Sequence, residues 1–511
     1  MGFKPSTTGP QGQLYADPKP TPDEDAFQVN NTSEAYYNSP YYLKNKNLIQ
    51  QIPPPRPGVP LNIDLSDFLP TATIAAIQAA GSISFHAVGD TGAAKTGGHQ
   101  SAATAIAQEA GVADAMTADV AAGGPDAPAF FFHLGDVIYE FGEAQYYYDQ
   151  FYEPYREYDR PIFAIPGNHD GMVFGATSTA PQNPTLAAFL TNFCAAEAGS
   201  SPDAPSITRS TMTQPGVYFT LDAPFVSIIG LYSNVLDTGG GVISSQGGHY
   251  PISDVQLAFL TSELKRLAPD QAAGKRAILI AVHHPPLSAD AKTGGSAGLM
   301  QDIDSCCKGA GVYPDMVLNG HSHLYQRFTR TVNGRSVPYI CSGSGGYAAT
   351  APMAGIPPAG TVVGDHKLEV PPIAEFGYLT LTCDGKTLTA TFKMAPVAKP
   401  TVLKDTVTLD LKTGQLTENG IGNSAGTPAK PPAPTKPVKP PAPVKPVKPT
   451  PPAKPVKPKP PAKPVKGVSK KKHVKKTGIT NPPARKSAKP TPKKAAKLPT
   501  KKAVAKKATK R

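Results

Sequence analysis

The sequence predicts an α/β fold. Eight short β-prone runs recur between residues 83 and 341, most of them continuously apolar, as strands covered on both faces require. Helical stretches lie between several of them, and that alternation is the pattern of an α/β core. Five of the runs also end on a small set of Asp, Asn, Tyr and His residues, at the strand ends where α/β sheets place their sites.

In chain order, residues 1–80 start polar and rich in Pro, Asn and Tyr (Tyr36, Tyr37, Tyr41, Tyr42), then pass through Pro53-Pro54-Pro55. They read as an extended N-terminal arm, anchored by its tyrosines and disordered in part. Residues 81–413 form the folded domain. Its expected strands are Ile83–Val88, Ala129–Leu134, Ile162–Ile165, Val217–Leu221, Phe225–Leu231, Ala277–Val282, Met316–Leu318 and Val337–Cys341. The clearest helix is Asp254–Leu267, with Leu257, Leu260, Leu264 and Leu267 on one face, a capping box of Ser253 and Gln256, and Pro269 as its stop. Residues 171–216, rich in Gly, Ser, Thr and Pro, read as an insertion, either a lid or an inert surface excursion. After Gly377, Tyr378–Cys383, Thr387–Phe392 and Thr406–Leu411 look like antiparallel strands closing the domain near Thr413. Residues 414–511 read as a disordered basic tail of Pro, Lys and Ala. It has too few large apolar residues to fold, and its first half is biased to polyproline II.

The net charge of +13 describes neither part of the chain. From Pro428 onward there are 27 Lys and Arg and no acid, which leaves 24 basic residues against all 38 acidic ones, so a +27 tail follows a −14 body. The five cysteines are odd in number and show no Cys-x-x-Cys spacing, which argues against a thiolate zinc site or a disulfide framework. No stretch approaches the roughly 18–20 apolar residues of a membrane span. The N-terminus lacks the apolar core of a secretory signal, although Gly2 and Ser6 fit a loose myristoylation pattern. A cytoplasmic protein is the default reading.

The chemistry lies in Gly89-Asp90-Thr91-Gly92, Gly135-Asp136-Val137-Ile138-Tyr139, Gly167-Asn168-His169-Asp170, Val282-His283-His284-Pro285 and Gly320-His321-Ser322-His323. A lone Gly-Asp after a strand is usually a turn. Five such ends in one domain, offering carboxylate, phenolate, amide and imidazole but no thiolate, suit two hard or borderline ions such as Fe, Mn or Zn. One carboxylate would bridge them, and His321 and His323 on alternate positions would serve one ion each.

These motifs resemble the calcineurin-like metallophosphoesterase superfamily, and within it the purple acid phosphatase branch, over roughly residues 82–395. Two details choose the branch: Asp90-Thr91-Gly92 lacks the histidine that most of the superfamily has two residues after that aspartate, and Tyr139 stands three residues after Asp136. The resemblance implies a four-layer α/β/β/α sandwich of two mixed sheets. It implies Fe(III) held by Asp90, Asp136, Tyr139 and His323, and a second Fe, Zn or Mn held by Asp136, Asn168, His283 and His321. The activity it implies is acid phosphatase hydrolysis of phosphate monoesters by a hydroxide generated on the metals, with His169 as the catalytic side chain on the phosphate or leaving group. It also admits an extracellular location.

One departure bears on substrate. Where the family carries histidines about ten residues after the ligand matching His283, this chain has Lys292 and Thr293. Lys292 would bind phosphate as a point charge but is a poor general acid, and His284 and His249 are the substitutes. The tail resembles those of linker histones and suits nucleic acid, polyphosphate or an anionic surface. The alternatives are therefore a phosphodiesterase or nucleotidase with the same metals, or a tail-driven nucleic-acid-binding protein.

Overall fold

The computed structural model describes residues 51–92, 102–124, 126–139, 142–171, 186–205, 207–233, 241–245, 252–290, 295–347 and 356–420. The basic tail, residues 1–50 with the four tyrosines, Lys292, Thr293 and His249 lie outside them. The described strands are β1 (Asn62–Asp64), β2 (Ile83–Val88), β3 (Phe131–His133), β4 (Ile162–Ala164), β5 (Phe219–Ala223), β6 (Val226–Leu231), β7 (Ala277–Val282), β8 (Met316–Asn319), β9 (Tyr325–Val332), β10 (Arg335–Ser342), β11 (Val362–Val363), β12 (His366–Ile373), β13 (Gly377–Cys383), β14 (Thr387–Met394), β15 (Val402–Asp410) and β16 (Gln415–Asn419). They build two mixed sheets, one ordered β1-β5-β6-β7-β8-β10-β9-β12-β11 and the other β16-β15-β14-β13-β2-β3-β4. All the expected strands are present, with ends shifted by a few residues. β1, β9, β11, β12 and β16 are additional, and β16 carries the second sheet to Asn419.

The side-chain alternation of β7 shows how the layers are made. Ala277, Leu279 and Ala281 join Phe132, Phe163, Leu318, Leu381 and Phe392 in a core between the two sheets. Ile278, Ile280 and Val282 point the other way, into a second cluster with Leu260 and Leu264 of helix Val255–Ala272 and Ile303 of helix Ala297–Ala310. On the second sheet Val88 and Phe131 meet Val112 and Met116 of helix Ala102–Ala122. Both faces of the parallel strands are thus covered, which explains their unbroken apolar sequences.

Two expectations about helix Val255–Ala272 are corrected. The capping box of Ser253 and Gln256 does not form: the N-cap is Asp254, which makes no side-chain cap bond. The buried Gln256 instead accepts from the Tyr232 N–H at 2.8 Å and donates to its carbonyl at 2.7 Å. Nor does Pro269 stop the helix, which runs on to Ala272 although a proline there can make no hydrogen bond to the carbonyl four residues back. Of the expected arm, residues 51–80 contribute β1 and the helix Thr71–Ala80. In the 171–216 segment the described part includes helix Ala187–Phe193 and isolated bridges Cys194–Thr213 and Ser200–Ser210.

Polar side chains finish what the sheets leave open. β4 is an edge strand, and the buried Gln214 amide takes both the N–H and the C=O of Ala164 at 2.8 Å. Between the sheets the buried Arg327 of β9 makes a two-pronged pair with Asp405 of β15 at 2.6 and 3.0 Å, and Tyr325 donates to the same carboxylate at 2.6 Å. All five cysteines are buried and unbridged. No helix among the described residues is long and apolar enough to cross a membrane.

Candidate metal centre

β2, β3 and β4 run parallel in one sheet, and β6, β7, β8 and β10 in the other. Just beyond Val88, His133, Ala164, Val282 and Asn319 the chain turns, and these five turns bring all seven expected ligands into two groups of donors. In the first, the Tyr139 hydroxyl lies 3.1 Å from Asp90 Oδ1, 3.1 Å from Asp136 Oδ2 and 3.4 Å from His323 Nε2, and His323 Nε2 is 3.4 Å from Asp90 Oδ1. In the second, His283 Nε2 lies 3.3 Å from the same Asp136 Oδ2 and 3.1 Å from Asn168 Oδ1, which is 2.9 Å from His321 Nδ1. One oxygen, Asp136 Oδ2, belongs to both groups.

The backbone is bent to achieve this. Asp90, Asp136 and His321 all have left-handed φ, at 58°, 54° and 68°. For non-glycine residues such conformations cost energy and cluster at functional sites. Each is pinned: Asp90 N–H donates to the Gly135 carbonyl at 2.9 Å, His321 N–H to Asp90 Oδ2 at 2.8 Å, and His169 N–H to Asp136 Oδ1 at 2.8 Å. Gly167 is obligatory, since a Cβ there would fall 2.4 Å from the Asp136 nitrogen.

The charged groups of the site shift one another strongly. Burial alone would lower the His283 imidazole, but the Asp136 carboxylate beside it pushes it up to about 10. Burial raises Asp136, yet His283 and then His169 pull it well below the carboxylate range. Burial, then Asp136 and Asp90, holds the Tyr139 hydroxyl far above its ordinary value, so a phenolate here requires a cation. His283 Nδ1 faces the Leu134 carbonyl at 2.8 Å, so one proton belongs there, and Nε2, facing the oxygens of Asp136 and Asn168, carries the second unless a cation takes its place. Lone pairs converging at such distances need a proton or a metal between them, and the ligand atoms of Asp136, His283 and His321 lie close enough together to hold a metal ion.

Residues that were not anticipated hold the ligands still. Asp170 accepts from the N–H groups of Val137, Ile138 and Gly167 at 2.8 to 3.2 Å and so ties the third motif to the second. Gln150 pairs with both backbone groups of Tyr139 at 2.8 and 2.7 Å. His133 accepts from the Gly135 N–H at 3.1 Å, which leaves its Nε2–H for Thr91 Oγ1 at 2.9 Å. The signal for His133 was one polar residue inside the apolar run Ala129–Leu134. Of the other expected site residues, His169 is buried with Nε2 4.0 Å from Asp136 Oδ2, outside both donor groups. His284 is buried behind His321, its ring 4.2 Å away and its Nδ1 2.8 Å from Ser233 Oγ. Lys292 is outside the described residues.

Residues 83–325 match the family described as calcineurin-like phosphoesterase, and all seven expected ligands fall inside that span. The chain carries a calcineurin-like phosphoesterase domain. No curated protein matches the sequence. Among solved structures, the chain is similar to a purple acid phosphatase, PPD1, from yellow lupin (Lupinus luteus) seeds, with 15% identity, a TM-score of 0.43, and coverage of 64% of this chain and 54% of that one. It therefore spans about half the length of the lupin enzyme. It is also similar to GAP50, described as the anchor in the inner membrane complex of Plasmodium (14% identity, TM-score 0.42, 63% of this chain and 88% of that one). A third is PhoD (13% identity, TM-score 0.39, 66% and 71%).

Proposed function

We propose that this phosphoesterase is a dinuclear-metal phosphatase of the purple acid type, acting on phosphate monoesters. The observation that carries the proposal is Asp136 Oδ2, shared at 3.1 and 3.3 Å between two donor groups that are otherwise separate. Asp90, Asp136, Tyr139 and His323 would hold Fe(III), for which a phenolate is a suitable hard ligand; Asp136, Asn168, His283 and His321 would hold Fe, Zn or Mn. Bound there, such ions supply an acidified water and neutralise phosphoryl charge.

The chain's own residues do the rest. The side chains of Asp90, Asp136 and His283 are essentially sealed from solvent while that of His323 is 14% exposed, so substrate approaches from the histidine pair at positions 321 and 323. His169, held through its backbone by Asp136 and 4.3 Å ring-to-ring from Tyr139, is the proton donor to the phosphate or leaving group. Lys292 is a phosphate-binding charge. Supporting that assignment, Ser288 Oγ accepts from Gln326 at 2.8 Å and lies 3.4 Å from Ser322 Oγ, so the segment leading to Lys292 starts beside the His321–His323 turn. His284, behind the ligands, acts by bracing His321 rather than touching substrate.

Metal analysis with a visible spectrum, followed by activity on an aryl phosphate monoester against the diester, tests this reading. Two ions, a tyrosinate charge-transfer band and monoester preference are expected. A colourless zinc or manganese protein removes the iron assignment, and diester preference replaces the phosphatase by a phosphodiesterase or nucleotidase. The basic tail fits that second reading as a tether for a polyanion, and its deletion should then flatten the salt dependence of substrate binding.

A further inference from the structure

We propose that Tyr347 is a positioning residue for one metal site alone, the one built by Asp90, Tyr139 and His323; this rests on the two-metal reading above. Tyr347 lies in the turn after β10, a strand that contributes no ligand and to which no role is otherwise assigned. It touches all three of those ligands and does so in three ways. Its ring stacks on that of Tyr139 with centroids 3.6 Å apart and planes 2° from parallel. Its ring also meets His323 edge-on, 4.8 Å away at 87°. Its backbone N–H donates to the Asp90 carbonyl at 3.0 Å, so the turn that carries the ring is fastened to the turn that carries the carboxylate.

The consequence is geometric. A tyrosine ligand has two side-chain torsions, and its oxygen sits at the far end of a ring, so a small rotation at Cα moves that oxygen a long way. A second ring parallel to it blocks tilting, and the edge contact stops His323 from turning at the same time. The turn is itself bound, with Gly345 N–H on the Gly89 carbonyl at 3.1 Å and Tyr347 only 5% exposed. Among the described residues its further ring neighbour is His169, 6.2 Å away, and not the His283 or His321 ring of the other group. Changes in residues that orient metal ligands commonly cost 10–100-fold in affinity, and here that cost should fall on one ion of the two.

The test compares wild type, Tyr347→Phe and Tyr347→Leu for metal release to a chelator, followed ion by ion, with the melting temperature of each metal-free protein recorded. Wild type and Tyr347→Phe should release both ions alike, because the stacked ring is retained. Tyr347→Leu should lose one ion about tenfold or more faster, with the second ion's rate and the metal-free melting temperature unchanged. Equal release of both ions in all three proteins would overturn the proposal. So would faster loss of both ions together with a lowered melting temperature, which would make Tyr347 an ordinary packing residue. A wild-type protein that takes up no metal would instead remove the metal-centre reading itself, and this proposal with it.

Discussion

The ring of Tyr139 occupies the space into which any side chain at Gly92 would have to grow. A Cβ on Gly92 would fall 3.1 Å from Tyr139 Cδ2, 2.7 Å from the Val137 carbonyl oxygen and 2.5 Å from Gln150 Oε1, the atom that accepts the Tyr139 N–H. Gly92 and Tyr139 are therefore sterically coupled, together with Gln150 and the Val137 carbonyl. Gly92→Ala should cost about 1–3 kcal/mol, as overpacking of a filled interior does, and should loosen Tyr139. Urea unfolding with metal analysis checks it; a variant with wild-type stability and full metal content would refute the crowding.

His169 stands beside the donors without joining them. His169→Ala should therefore keep its metal while losing roughly 10²–10⁴-fold in turnover, the usual contribution of a positioned proton donor. Loss of metal in parallel with activity would move His169 into the ligand set and leave the donor role vacant.

Burial, with a smaller push from His283, drives the His133 imidazole down to about 3. In the unfolded chain the same ring takes up a proton near 6.5. Between those values the unfolded state holds more protons, so this contribution to stability is complete above about 6.5 and drains away as pH falls toward 3. At about 1.4 kcal/mol per pH unit the loss reaches several kcal/mol. Denaturant unfolding of metal-free protein from pH 7 to 4 should show wild type losing stability more steeply than His133→Asn, and parallel slopes would sink the assignment.

The buried pair Arg327–Asp405 joins the two sheets. Arg327→Met strands a buried carboxylate and should cost roughly 3–5 kcal/mol, whereas Arg327→Met combined with Asp405→Leu should recover most of it. Equal stability for the single and double variants in chemical denaturation would show that the carboxylate is not left without compensation.

Much of this was readable in the sequence, for a physical reason. Ala277–Val282 is apolar at every position because it is covered on both faces, and the ligands stand out because polar residues interrupt such runs abruptly. β9 escaped notice because Gln326, Arg327 and Arg330 make it look like surface; what buries them is Ser288, Asp405 and Asp304, 26 to 78 residues away. Gln256 was misread for a similar reason. Its spacing from Ser253 fits a capping box, but Tyr232 offered a bare backbone edge that no local pattern announces. Tyr347, in a glycine-rich turn without periodicity, left no mark at all.

Gln214 shows what that kind of partner achieves. The amide fills the hydrogen-bonding slot that Ala164 turns away from β3, so a strand from another molecule arriving at this rim finds its first rung already taken. The sheet is finished there by a plug and not merely by running out of chain. Four residues further on comes Asn168, so the device that shuts out a stranger also steadies the backbone from which a proposed metal ligand hangs.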